Sequence, residues 1–160
     1  KHYPKILAIK KLLLIFLIAI AAFTGKAQQY SPLVGNWKGY MLTDTTNADN
    51  KRGLPVTLFI SYVSSEGEIA GEMVVQYRYQ ADIYRAKYEV TGQYNFANGQ
   101  AFIEQQKIVF HDILPKGLQW CFGSGYFRLK RNPYKKKTYL DGILTTDCGK
   151  EMMRIILIKK

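Results

Sequence analysis

From Leu33 onward, hydrophobic and polar residues alternate in short runs, and Gly, Asn, Pro and Ser cut one run from the next. In the stretch 68–79, Ile69, Gly71, Met73, Val75, Tyr77 and Tyr79 share one parity, while Glu72, Gln76 and Arg78 take the other. Tyr88, Val90, Gly92, Tyr94 and Phe96 repeat the pattern. A period of two is the pattern of a strand with one face buried. Tyr, Val, Ile, Phe and Thr fill these runs and none has a helical period, so the expected fold is all-β. Eight strands are predicted, at 35–42, 54–63, 68–79, 87–96, 101–110, 118–130, 138–147 and 151–159. The connections after the second strand are short, which makes successive strands antiparallel neighbours in an up-and-down meander. Eight such strands can close into a barrel and so remove exposed edges. Glycines inside strands, among them Gly71, Gly92, Gly125 and Gly142, suit the coiling of a small barrel.

Register can be read from the turns. Reversal near Tyr134 pairs residues of the sixth and seventh strands whose numbers sum to 269. Cys121 then faces Cys148, within disulfide reach, and Arg128 faces Asp141 as an expected surface ion pair. A turn centred on Asn98-Gly99 sets Gly92 opposite Gln105 and Val90 opposite Lys107. Either a bulge flips the fifth strand, or polar groups enter the barrel. On the sixth strand Trp120, Phe122 and Tyr126 share a face opposite Cys121, Phe127 and Leu129.

The first 27 residues read differently. Lys1, Lys5, Lys10 and Lys11 precede an apolar run of 12 residues, Leu12 to Phe23, and Gly25 and Ala27 complete a small-x-small site. This is the pattern of a secretory signal. The apolar run would span only about 18 Å as a helix, against a hydrocarbon core of about 30 Å. Expected organisation is therefore a signal peptide at 1–27 and one barrel domain at 28–160. An exported location, periplasmic or secreted from a Gram-negative-type bacterium, follows, with no membrane span after cleavage. Two cysteines in an exported chain favour a disulfide over thiols or metal.

Cleavage also changes the charge. The leader holds five of the 23 Lys and Arg and none of the 12 acids, so the net charge falls from +11 to +6. That value gives no reason to expect a nucleic-acid partner, and the run Lys130-Arg131…Lys135-Lys136-Lys137 reads as a solvated hairpin tip. His111 is the one histidine left, too few for a His-rich metal site or a Cys–His nucleophile. No phosphate-cradling glycine loop occurs, and Asp44, Asn47, Asp49 and Asn50 in the polar segment 43–53 lack calcium-loop spacing. No catalysis, metal or cofactor is expected.

The aromatic content carries more: 12 Tyr, 8 Phe and 2 Trp. Tyrosines combine a broad apolar ring with one polar tip, which suits a ligand cavity. Tyr77, Tyr79, Tyr88 and Tyr94 are the candidate ligand-binding residues.

Gly35-Asn36-Trp37 at the first strand, the long connection after it and the eight-stranded meander together resemble the calycin group, the lipocalins and avidin-like barrels. The run LFISYVSSEGEIAGEM also resembles the second hairpin of avidin-like proteins. The resemblance implies a barrel whose Trp37 covers one end, stacked by a basic residue from a late strand, with Arg154 first and Lys150 second as candidates. The lipocalin Thr-Asp-Tyr motif is absent, TTDC standing at 145–148, as are the several tryptophans of an avidin site. Expected function is a non-catalytic carrier of a small apolar or amphiphilic ligand. The alternative is a structural or protein-interaction module with a filled core.

Overall fold

The computed structural model describes residues 31–42, 53–149 and 151–160. Residues 1–30, on which the expected signal peptide falls, most of the 43–53 connection and Lys150 lie outside the described residues. Eight strands follow in order: β1 (Gly35–Leu42), β2 (Leu54–Val63), β3 (Glu68–Tyr79), β4 (Asp82–Asn95), β5 (Gln100–His111), β6 (Gly123–Asn132), β7 (Lys137–Thr146) and β8 (Met152–Lys159). Each pairs antiparallel with the next, and β8 returns to β1, closing the barrel.

Alternation along the strands fills the interior. Leu58 and Ile60 of β2, Met73 of β3, Ile103 of β5, Phe127 of β6, Leu140 and Leu144 of β7, and Ile155 and Leu157 of β8 are buried. Each such side chain contributes about 1.5–3 kcal/mol on leaving water. Outward positions carry the charges. Ion pairs there form along diagonals: Lys87 opposes Val74 and bonds Glu72 at 2.8 Å, while Asp141 binds Lys130 at 2.6 Å and Arg154 at 3.3 Å. Asp141 does sit opposite Arg128, but its ion pairs go to diagonal neighbours, which come within reach of long side chains on a twisted sheet. The expected Arg128–Asp141 pair is thus corrected. Desolvation pushes the Asp141 carboxyl up, but the hydrogen bonds and charges of Lys130 and Arg154 outweigh it and hold it below its ordinary value.

Strand glycines sit where coiling brings backbones together. A Cβ on Gly92 would strike the Phe102 carbonyl oxygen, and one on Gly125 that of Ile143.

Strands β1 to β3 keep the expected bounds and those of β4 to β8 shift, with consequences at three places. The β3–β4 hairpin turns at Gln80-Ala81, with Tyr79 opposite Asp82 and Gln80 at φ 55°; β4 therefore starts at Asp82. The β4–β5 loop runs from Phe96 to Gly99, because Asn95 pairs with Gln100. Asn95 Oδ1 accepts from Ala97 N and Asn98 Oδ1 from Gln100 N, both at 2.9 Å. The turn centre lies one residue before Asn98-Gly99, so Gly92 opposes Ile103 and Val90 opposes Gln105. Both options open in the sequence are realised. Gln105 enters the barrel, and bulges at Gln106 and Val109 then restore Ile108 opposite Tyr88 and leave Lys107 outside. Finally, β6 begins at Gly123, and residues 118–122 belong to the connection before it. Trp120 and Phe122 are half-buried against the core and Tyr126 is exposed on the outer wall, so these three do not share one face.

Candidate functional site

The two barrel ends are built differently. At one end Trp37 is wholly buried, and its indole N–H donates to the Leu33 carbonyl at 2.8 Å. β1 pairs with β8 so that Trp37 opposes Lys159 and Leu42 opposes Arg154. Lys159 Nζ stands 5.5 Å from the Trp37 ring centroid and donates to the Pro32 carbonyl at 2.6 Å. Burial pushes the Lys159 amine down from its ordinary value. The expected Trp37–Arg154 pair is therefore corrected: the basic residue over the ring is Lys159. Five residues of strand, about 17 Å, separate the two positions along β8, and Arg154 points outward to Asp141. Lys150 lies outside the described residues.

At the other end β5 and β6 part. Their ladder runs only from Gln100–Arg128 to Glu104–Ser124, while β5 continues to His111 along β4. Gln105 marks the fork. Its Oε1 accepts from Gly123 N at 2.8 Å, where a ladder bond would otherwise form, and its Nε2 donates to Met73 Sδ at 3.1 Å. Beyond the fork the wall is a strap, residues 112–122. Asp112 anchors its start through Asp112 N to Arg85 O at 2.9 Å and Arg85 N to Asp112 Oδ2 at 2.8 Å. Trp120 Nε1 donates back to the Asp112 carbonyl at 2.9 Å. A turn at Pro115–Leu118 with Gly117 at φ 90° folds the middle.

The strap's far end is fixed to the β7–β8 turn. Asp147 N donates to Phe122 O, and Asp147 Oδ1 accepts from Phe122 N, each at 2.9 Å. The Cys121–Cys148 disulfide, with Cα atoms 5.6 Å apart, lies beside them. The β6–β7 register has the sum of 269 read from the sequence, from Asn132–Lys137 to Gly123–Thr146, and the cysteines lie two residues past its last pair. Among the described residues Cys121, Asp147 and Cys148 form one cluster of metal-ligand type, but both sulfurs are joined in the disulfide.

Under the strap lies a cavity of about 520 Å³. Met41, Leu54, Val75, Leu144 and Met153 from the strands and Leu114 and Leu118 from the strap give its apolar wall. Tyr77, Tyr88, Gln105 and Thr146 bring polar atoms, and Glu151 is the charged residue among those that line it. Tyr88 is buried, edge-on to Phe122 with centroids 5.8 Å apart. Burial, helped by the Asp147 carboxylate, pushes its phenol up from 10.0 to about 12, so it stays protonated at neutral pH.

Of the four candidate tyrosines, Tyr77 and Tyr88 reach this cavity. Tyr79 is exposed at the tip of β3, and Tyr94 is buried at the Trp37 end against Phe96, with centroids 4.9 Å apart. Alternation identifies a face but not a depth along the barrel. Gln105 was open in the sequence as one of the polar groups that could enter the barrel, but the strap was not anticipated; Pro115 and Gly117 were its available signal, masked by the β-prone run Gln119–Phe122. His111 is exposed at the end of β5, its Nδ1 3.2 Å from the Asp112 carbonyl.

Compared with known proteins, the chain matches no family model, no curated protein and no solved structure.

Proposed function

We propose that this protein is a non-catalytic carrier that holds a small apolar or amphiphilic ligand in the cavity at the disulfide end of its barrel. One observation carries the proposal: the interior contains about 520 Å³ of space under the strap, within the range of small-molecule sites, about 300–1,000 Å³. A barrel packed solid by its own side chains would serve an interaction module instead. The wall has the composition of a ligand site, aliphatic and aromatic with a few polar groups. The single plugged end, with Trp37 beneath a basic residue, fits the calycin resemblance. Export through the N-terminal signal and function in the periplasm or outside the cell complete the proposal.

A second reading, a protein-binding module, is favoured by one feature. Past Glu104, β5 has a partner strand only on its β4 side among the described residues, and Val109 and Phe110 are exposed there. Such an edge can accept an extended peptide.

Native mass spectrometry of protein purified from its source, together with titration by the neutral dye Nile red, tests the carrier reading. The expected result is a co-purifying apolar molecule, or one saturable dye site that Val75→Trp abolishes by filling the cavity. A bare apo mass with no dye binding would refute the carrier and leave the peptide-binding edge.

A further inference from the structure

The polar groups of the cavity are unequally satisfied, and the inequality specifies what would complete them. Gln105 Oε1 is engaged by Gly123 N. Its Nε2, however, has only the Met73 thioether at 3.1 Å, and a thioether sulfur is a weak acceptor. Tyr88 is 98% buried and lines the same cavity. Its hydroxyl donates to no protein acceptor among the described residues, yet no enclosed side-chain polar atom there lacks a partner. The hydroxyl therefore reaches the open space of the cavity. The Gln105 Nε2 amide is a donor only and the Tyr88 hydroxyl has its proton still to give, and a buried donor left unmatched is costly.

Charge narrows the class further. Among the described residues that line the cavity none is Lys or Arg, and Glu151 is an acid. Asp147 lies close enough for its charge to act on the Tyr88 phenol. An anionic head group entering here would lose its water and meet the Glu151 and Asp147 carboxylates, with no cation to pair with among the described lining residues.

Resting on the carrier reading, we infer that this cavity selects an uncharged apolar molecule whose buried end bears an oxygen acceptor, a ketone, aldehyde, ester or ether, and rejects fatty-acid-type carboxylates. Tyr88 donates to that oxygen. The aliphatic wall formed by Met41, Leu54, Leu144 and Met153 takes the chain.

The test is displacement of Nile red from the full protein by a matched series: methyl nonyl ketone, undecane and undecanoate. The ketone should bind roughly tenfold tighter than the alkane, the effect of one hydrogen bond. Undecanoate should be the weakest of the three. Tyr88→Phe, which keeps the ring, should bring the ketone down to the alkane; Nile red, itself a ketone, is titrated again on the variant so that each displacement is read against the dye's own affinity there. Equal binding of ketone and alkane to the wild type, tightest binding of undecanoate, or a ketone preference that survives Tyr88→Phe would each overturn this inference while the carrier reading stands. Absence of Nile red binding would overturn the carrier reading and this inference with it.

Discussion

The two ends of the barrel are made from the same eight strands, yet one is closed and the other hollow. At the closed end all the ladders persist, and an indole with its N–H satisfied by Leu33 fills the axis under Lys159. At the hollow end one ladder, β5–β6, stops at Glu104–Ser124, and an eleven-residue strap stands where strand would have continued. A strand cannot be cut short in a small barrel without freeing both backbone and volume. Gln105 satisfies the backbone at the fork, while the disulfide and Asp147 hold the strap far enough out to leave the volume. The cavity is thus a consequence of where β6 begins.

If the ends differ in packing, they should differ in response to truncation. Trp37→Ala should cost about 3–5 kcal/mol, seen as a large fall in the denaturation midpoint. Met153→Ala opens onto space that already exists, so its cost should lie at the low end for its type, about 2 kcal/mol. Equal losses at the two sites would break the comparison. Replacing both cysteines by serine should cost about 3 kcal/mol, the disulfide enclosing a separation of 27 residues. Hydrogen exchange should rise across 112–122 and the β7–β8 turn, and stay unchanged around Trp37. Exchange rising evenly over both ends would show that the disulfide serves the whole fold and not the strap.

The closed end was the more legible in the sequence, for a physical reason. Period-two alternation encodes which face of a strand is inside, and a register set by a short turn propagates residue by residue. The sum of 269 found around Tyr134 therefore places every β6–β7 pair. What alternation does not encode is an irregularity. The β4–β5 turn sits one residue off because Asn95 and Asn98 each cap a local backbone N–H, a choice that competes with the Asn-Gly turn. Two bulges then shift the upper half of β5, and each changes the side-chain parity. The strap was hidden because Trp120, Cys121 and Phe122 have strand propensity but spend it on contacts with Asp112, Cys148 and Tyr88. Likewise a basic partner for Trp37 was expected on a late strand, and β8 supplies one. Alternation along β8 buries Met153, Ile155 and Leu157 and turns Arg154 outward, and the closure register of β1 against β8, which no turn dictates, sets Lys159 opposite Trp37.

Smaller effects sharpen the contrast through pH. Tyr88 has a folded pKa raised from 10.0 to about 12. Its burial as a neutral phenol therefore stabilises the fold fully below pH 10, and that contribution is lost as pH rises from 10 toward 12, on the order of 2 kcal/mol. Tyr88→Phe should lack this loss, so stability curves of the two proteins should diverge only above pH 10; parallel curves would place the hydroxyl in water. Asp141 works in the opposite sense and on the outer wall. Its folded pKa is lowered, so its contribution is present above the unfolded value and is lost as pH falls through the folded one. Because Lys130 is over half exposed, Asp141→Asn should cost only about 0.2–1 kcal/mol at neutral pH. Salt and acid should both erase the difference from wild type. The Trp37→Ala deficit should persist under both, since packing in a dry interior is not screened. A Trp37→Ala deficit that shrank with salt would mean that the closed end is held by the Lys159 cation over the ring more than by the burial of the indole.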